Sequence, residues 1–381
     1  MPLAAASLPN FAGRTIKGHY ILTEKLGFGG WGVVYKAIDT RKLSDSPARH
    51  RAIKIMAKAG LTLKHLKAFR REVVLHVAVA SHPNIITIHD AFADDEYLYI
   101  VLDYCPGGDL LDHIVANSYR SNHELLRSAF VSLLDAVQYC HEHKIAHRDL
   151  KPQNVLVSED GSKVFLADFG LATAERMTEE HGWGTPTHMA PECHKSPFGK
   201  TPRYDTHAAD VWALGVILMN MLTGRGLWTK TYRTDVFFMR FIHDPNYFYN
   251  TFPELSMGVC DILTRIFTLE PLERISVRKL REAILNLDTF LRSEESEEAQ
   301  ELMNTTSKKC GKSTLDMPDG APGLSPASSQ DDAESPLVTP EDTKVGMPKH
   351  AGVKKVEWKI AFRVQVLRGG HDHHEDKMDC D

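Results

Sequence analysis

The chain has 381 residues, with 45 Lys and Arg against 50 Asp and Glu, a formal balance of −5. Its composition, 43% hydrophobic and 25% charged, is that of a soluble globular protein and excludes collagen-like, wholly disordered and membrane-embedded classes. The slight acidity argues against a dedicated nucleic-acid binder. Six Cys (Cys105, Cys140, Cys193, Cys260, Cys310 and Cys380) are scattered without a Cys-x-x-Cys pair, so neither a disulfide framework nor a zinc site is indicated. Reduced thiols make cytoplasm or nucleus the expected location. The N-terminal stretch lacks the basic residues of a secretory leader. The longest apolar run, Val211 to Met219, is nine residues long, which reads as a buried helix segment and not a membrane span.

Residues 1–17 are expected to be a flexible N-terminus. Five runs rich in β-branched and aromatic residues then read as strands: His19 to Gly27, Trp31 to Asp39, His50 to Lys58, Asn84 to Phe92 and Tyr97 to Cys105. One helix interrupts them, because Leu63, Leu66, Phe69, Val73 and His76 recur at a spacing of three to four. Tyr104-Cys-Pro-Gly-Gly breaks the pattern, and the chain is mostly helical from there to Phe290. The reading is an α+β domain over 18–290, with a five-stranded sheet lobe carrying one helix (18–104) and a larger helical lobe (105–290). After Phe290 the composition shifts. Between Glu294 and Asp342 there are 12 acidic and 3 basic residues among many Ser, Pro and Gly. Such a stretch cannot offset the entropy of ordering, so 291–381 is expected to be an acidic, mostly disordered tail.

Gly27-Phe28-Gly29-Gly30-Trp31-Gly32 is a G-x-G-x-x-G, a pattern shared by dinucleotide-binding turns and glycine-rich hairpins. A dinucleotide turn opens a helix, whereas Val33-Val34-Tyr35-Lys36 continues as a strand. A hairpin folded over phosphates fits better, with Trp31 shielding them from water. Ala52-Ile53-Lys54 lies on the next strand, and Glu72 follows on the helix. The pair is either a surface salt bridge or a clamp that aims the ammonium of Lys54 at nucleotide phosphates.

His147-Arg-Asp149-Leu-Lys151-Pro-Gln-Asn154 and Asp168-Phe-Gly170 are the strongest signals. Phosphoryl transfer needs a group to accept a proton from the attacking hydroxyl, a divalent metal to neutralise developing charge, and fixed phosphate contacts. Asp149 suits the first role, and Asn154 and Asp168 supply oxygen ligands for Mg2+.

With these motifs in this order, the stretch from about 18 to 290 resembles the eukaryotic protein kinases. Ala190-Pro191-Glu192 resembles the family's A-P-E, Asp210-Val-Trp-Ala-Leu-Gly215 the start of its central buried helix, and Arg274 the partner of Glu192. The resemblance implies a bilobal fold with an antiparallel sheet lobe and ATP bound between the lobes. Gly27, Phe28, Gly29, Gly30, Trp31, Gly32, Val34, Ala52, Lys54, Leu102, Asp103, Cys105, Asp109 and Leu156 would then line the nucleotide site. Leu102 to Cys105 would form gatekeeper and hinge, and Asp109 would lie near the ribose and the peptide path. Lys151 is the serine/threonine form of the catalytic loop, Gly184-Thr185-Pro186 agrees, and Thr185 would bond Asp149 and Lys151. Leu171 leans towards serine acceptors. The implied activity is ATP- and Mg2+-dependent phosphorylation of Ser/Thr in protein substrates; a monomer is the default, and composition leads us to expect no nucleic-acid or membrane partner. Softer features, the insert Arg41–Arg51, Glu72 to His76, and Tyr232 to Ser256, resemble fungal kinases described as negative regulators of sexual conjugation and meiosis.

Some positions depart from the family pattern. His76 stands where an aliphatic residue is usual and is expected to be a neutral core His. Gln153 and Asn220 replace acidic residues of Arg-directed kinases, and Asp109 alone is retained. Arg148 is the usual partner of an activating phosphate. The segment opposite it reads Met177-Thr178-Glu179-Glu180, so Glu179 or Glu180 is expected to stand in partly for phosphate, with Thr178 phosphorylation as the rival. In the tail, Ser325, Ser335 and Thr339 precede Pro and suit upstream proline-directed kinases. The alternation Val356, Trp358, Ile360, Phe362, Val364, Val366 has a strand pattern.

Overall fold

A computed structural model describes residues 8–29, 32–194 and 202–292. The tail sites Ser325, Ser335 and Thr339 and the Val356–Val366 alternation lie outside the described residues.

The N-terminal lobe is a six-stranded antiparallel sheet in the order β1-β2-β3-β4-β6-β5. Its strands are β1 (Thr15–Ile16), β2 (Tyr20–Gly29), β3 (Gly32–Asp39), β4 (His50–Ala57), β5 (Ile88–Ala93) and β6 (Tyr97–Asp103). Helix α1 (Leu63–Val79) joins β4 to β5. Sequence patterning gives five of these strands. The sixth, β1, is two residues long and pairs Thr15 with Ile21 and Ile16 with Tyr20. It forms because Lys17 and Gly18 both adopt positive φ (47° and 73°), which lets the chain reverse tightly. The expectation of a flexible 1–17 also needs correction from residue 8 onward. Phe11 is 1% exposed, stacks edge-on against Tyr35 and Tyr97, and its N–H donates to Tyr35 Oη at 3.2 Å. Burying a ring of that size in the sheet core outweighs the cost of ordering a few backbone residues.

The period-2 geometry of β4 sends Ile53 and Ile55 into the core that contains Phe11 and Tyr35. Ala52, Lys54 and Met56 therefore face the other way, towards α1 and the cleft. On α1, Glu72, Val73, His76 and Val79 form the buried face.

The C-terminal lobe holds α2 (Leu110–Val115), α3 (His123–Glu142), β7 (Val155–Val157), β8 (Val164–Leu166), β9 (Met177–Thr178), β10 (Tyr204–Asp205), α4 (Thr206–Thr223), α5 (Val236–His243), α6 (Tyr247–Thr251), α7 (Met257–Ile266) and α8 (Val277–Leu285). Its axis is α4, which contains the nine-residue apolar run and has 15 buried residues of 18, so it is enclosed on all sides. Asp205 caps its N-terminus, accepting from His207 N and Ala208 N, and Gly224 in the left-handed region (φ 68°) ends it. Gly215 is demanded by packing, since a Cβ there would stand 2.3 Å from Ile266. No helix among the described residues is long and apolar enough to cross a membrane.

Candidate active site

The glycine-rich segment is the hairpin between β2 and β3. Gly27 pairs with Val34, Phe28 with Val33 and Gly29 with Gly32, and no helix follows. Gly30 and Trp31, at its tip, lie outside the described residues. Nothing comes within 4 Å of where a Cβ would stand on Gly27 or Gly29, so neither glycine is explained by packing against the protein. Gly32 differs, because a Cβ there would meet Ile55 O at 2.3 Å. Phe28 is 72% exposed.

On the cleft face of the sheet, Lys54 pairs with Val34 on one side and with Ile100 on the other, and Ala52 pairs with Leu102. Val34, Ala52, Lys54 and Leu102 therefore share that face. Lys54 Nζ donates to Glu72 Oε1 at 2.7 Å and to Asp168 Oδ1 at 2.9 Å. With side chains only 17% and 10% exposed, Lys54 and Glu72 do not form a surface salt bridge. Burial works against the ammonium, but Asp168 and Glu72 outweigh it and hold Lys54 well above the ordinary lysine range. The Lys54 charge in turn pulls Asp168 down to about 2.

The His147–Asn154 loop is pinned from below. Asp210, one turn into α4, accepts His147 N and Arg148 N at 2.9 Å each and His141 Nε2 at 2.9 Å. Those bonds hold Arg148 at φ 67°, a conformation that costs a non-glycine residue of order 1–3 kcal/mol. Asp168 is likewise at φ 61°. Asp149, just beyond, is bonded on both carboxylate oxygens. Thr185 Oγ1 donates to Oδ1 at 2.7 Å, Lys151 Nζ to Oδ2 at 2.7 Å, and Asn154 Nδ2 to Oδ2 at 3.1 Å. Lys151 also donates to Thr185 Oγ1 at 3.2 Å, which closes the network. Asn154 Nδ2 donates to Asp149 O as well, so the amide nitrogen is committed and the amide oxygen is the atom that could accept a cation.

At the hinge, Asp103 Oδ1 accepts His89 Nε2 at 2.5 Å and Arg51 Nη1 at 3.4 Å, which ties its carboxylate to the sheet. Cys105 Sγ donates to Val157 O at 2.8 Å. Asp109 caps α2 through Asp112 N and bridges Leu156 on β7, while burial pushes its carboxyl up. His76 is buried, donates from Nε2 to Ile86 O at 2.6 Å and stacks on Phe169. Burial first of all lowers it to about 4, so it is neutral at pH 7. Arg274 grips Glu192 at 2.7 and 3.2 Å from full burial.

Sequence reasoning gave no anchoring role to Asp210 or His141. The available signal was an acidic residue opening an otherwise apolar helix, since a buried carboxylate needs donors. Among the described residues no group of three or more His, Cys, Asp or Glu forms a metal cage. Asp168 and the Asn154 amide oxygen make an oxygen-only donor pair, which suits a hard cation that completes its shell with phosphates.

A two-lobed fold with these groups facing one cleft defines a phosphotransferase architecture, and comparison with known proteins agrees. Residues 20–284 match the protein kinase domain family, so the chain belongs to the protein kinases, which generally use ATP and Mg2+. It is 36% identical over 286 residues to the "Negative regulator of sexual conjugation and meiosis" of Schizosaccharomyces pombe, covering 70% of this chain and 60% of that protein. It is 32% identical over 305 residues to "Serine/threonine-protein kinase ksp1" of the same organism, covering 75% and 63%. To "Serine/threonine-protein kinase VHS1" of Saccharomyces cerevisiae it is 28% identical over 329 residues, covering 71% of each. The chain thus spans about three fifths of the length of the first two relatives.

Proposed function

We propose that this protein transfers the γ-phosphoryl group of ATP to Ser and Thr hydroxyls of protein substrates in cellular signalling. The observation that carries the reading is the anchoring of Asp149 by Thr185, Lys151 and Asn154, which leaves one carboxylate fixed at the cleft. Asp149 orients the acceptor hydroxyl and takes its proton. Lys151 sits beside it to balance charge on the transferred group, and Thr185 keeps both in register. Lys54, held by Glu72, holds the nucleotide phosphates. Gly27, Gly29 and Gly32 let backbone N–H groups come close to them, and Val34, Ala52, Leu102, Cys105 and Leu156 frame the base and ribose. Asp168 and Asn154 would hold Mg2+, which neutralises charge on the phosphates when bound. Positioning and electrostatic stabilisation supply most of the rate in such a site.

Serine and threonine acceptors, with a lean towards serine from Leu171, are supported by Lys151 and Thr185 and by the names of two relatives, both serine/threonine-protein kinases. A reducing compartment, cytoplasm or nucleus, is supported by the free thiols of Cys105, Cys140, Cys193 and Cys260. Ser325, Ser335 and Thr339 are the proposed sites for upstream proline-directed kinases.

The test is phosphate transfer by the purified full chain to an arrayed Ser/Thr peptide library with Mg2+-ATP, beside Asp149→Asn. Transfer that disappears in Asp149→Asn is the expected result. Nucleotide binding with no transfer by either protein would point to a scaffold instead.

A further inference from the structure

Arg148 is the most deeply buried cation of the catalytic loop, its side chain 3% exposed, and such a charge needs a partner. It has one. Nη1 donates to Glu180 Oε2 at 2.8 Å and Nη2 donates to the Glu180 backbone carbonyl at 3.0 Å. The same carbonyl accepts Tyr204 Oη at 3.2 Å. The Arg148 bond holds the Glu180 carboxyl below the usual range, and Arg71 and Lys64 on α1 add to that field. Glu180 is thus gripped through side chain and backbone by a residue whose own N–H is fixed by Asp210 and whose neighbour is Asp149.

The alternatives at this spot are poorly placed. The Glu179 carbonyl accepts from His181, and no described group meets its carboxylate. Thr178 is 2% exposed, pairs with Tyr204 across β9 and β10, and its hydroxyl accepts Glu180 N at 3.2 Å. A modifying enzyme would have to pull that strand out of its sheet to reach the hydroxyl.

We infer that Glu180 is a positioning residue for phosphoryl transfer: its carboxylate occupies the Arg148 guanidinium and holds the 177–190 segment in its working place without phosphorylation. The inference rests on the kinase reading above. The carboxylate fills the site only in part, since Arg148 Nε is buried with no hydrogen-bond partner among the described residues and a phosphate would bring more charge and more acceptor oxygens.

The test uses the full chain, treated with phosphatase and shown by intact mass to carry no phosphate, as wild type, Glu180→Ala, Glu180→Asp, Arg148→Ala and the double variant. Peptide phosphorylation with Mg2+-ATP and hydrogen exchange over 177–190 are measured for each. Unphosphorylated wild type is expected to be active. Glu180→Ala should lose roughly 10- to 100-fold in kcat, as a displaced segment misaligns the reacting groups. Its KM for ATP should stay within about twofold, since Glu180 contacts no group of the nucleotide side. Faster exchange over 177–190 and partial recovery in Glu180→Asp are also expected. In the Arg148→Ala background, Glu180→Ala should change nothing further. Equal kcat and equal exchange in wild type and Glu180→Ala would overturn the assignment. So would additive effects in the double variant, or a wild type that works only once Thr178 is phosphorylated. An Asp149→Asn control as active as wild type would instead sink the kinase reading, while the exchange data would still report on Glu180.

Discussion

Asp149 and Lys54 face the same cleft from opposite lobes, yet they are held in place differently. Asp149 is fixed by Thr185, Lys151 and Asn154 of its own lobe, on a loop whose backbone hangs from Asp210 in the most enclosed of the described helices. Lys54 is fixed by one carboxylate from its own lobe, Glu72, and one from the other, Asp168. The lower half is therefore preorganised by a self-contained network anchored in the core, whereas the upper half is aligned only while α1 and the lower lobe keep their present relation. Residues below should couple strongly to folding. Residues above should matter to transfer more than to stability.

The sharpest way to break that contrast is at Asp210. Asp210→Ala leaves His147 N and Arg148 N without an acceptor in a buried site and removes the restraint on a left-handed residue. It should cost about 3–5 kcal/mol in urea unfolding and abolish transfer. Glu72→Ala makes the opposite demand. Lys54 keeps Asp168, so stability should fall by only about 1 kcal/mol, while transfer drops on the order of 100-fold because the ammonium is no longer aimed. Equal losses of stability in the two variants would erase the distinction between the halves.

His76 links them, since it lies on α1 and stacks on Phe169 of the Asp168-Phe-Gly segment. Burial depresses its pKa to about 4; Lys54 and His147 nearby also push it down, and the Ile86 carbonyl and Asp168 oppose them. Below pH 6.5 the unfolded chain takes up a proton that the folded chain refuses, so stability is present at pH 7 and lost as pH falls towards 4. The loss attributable to His76 should be about 2 kcal/mol at pH 5. His188, His194 and His207 are also lowered to about 4 by burial. His76→Leu should therefore flatten the acid limb of the denaturation profile and not remove it. An unchanged slope between pH 7 and 5 would show that His76 takes no part.

Local chemistry made part of this arrangement legible in the sequence. Lys54 and Glu72 could be brought together on paper because a strand of period 2 and a helix of period 3.6 each fix which side chains face the gap. The reach of Asp210 back to residues 147 and 148 could not, because nothing local to α4 says which backbone its carboxylate meets. Glu179 and Glu180 were indistinguishable for a related reason. Only the register of β9 against β10, with Thr178 opposite Tyr204, turns residue 180 towards Arg148 and leaves 179 outside. The strand β1 was hidden because its turn relies on a lysine at positive φ, which no propensity advertises.

The smallest expected effects separate glycines that look alike in the sequence. Gly29→Ala places a methyl in open space without a positive φ, so stability should change by no more than about 0.5 kcal/mol. If the space beside Gly29 is where phosphates approach the hairpin, KM for ATP should nonetheless rise several-fold, roughly the cost of a small displacement of one backbone contact. Gly32→Ala drives a methyl to 2.3 Å from Ile55 O, a backbone atom that cannot rotate away, so β3 and β4 must separate. That should cost about 1–3 kcal/mol and should pull Lys54 out of line with Asp168 as a secondary effect. Thermal melts and ATP titrations of the two variants distinguish the cases. Gly29 should affect binding and leave folding alone, and Gly32 should affect both. A Gly29→Ala protein with unaltered ATP affinity would mean that the open side of the hairpin is empty during turnover, and the phosphates would then have to be held by Lys54 and the metal ligands alone.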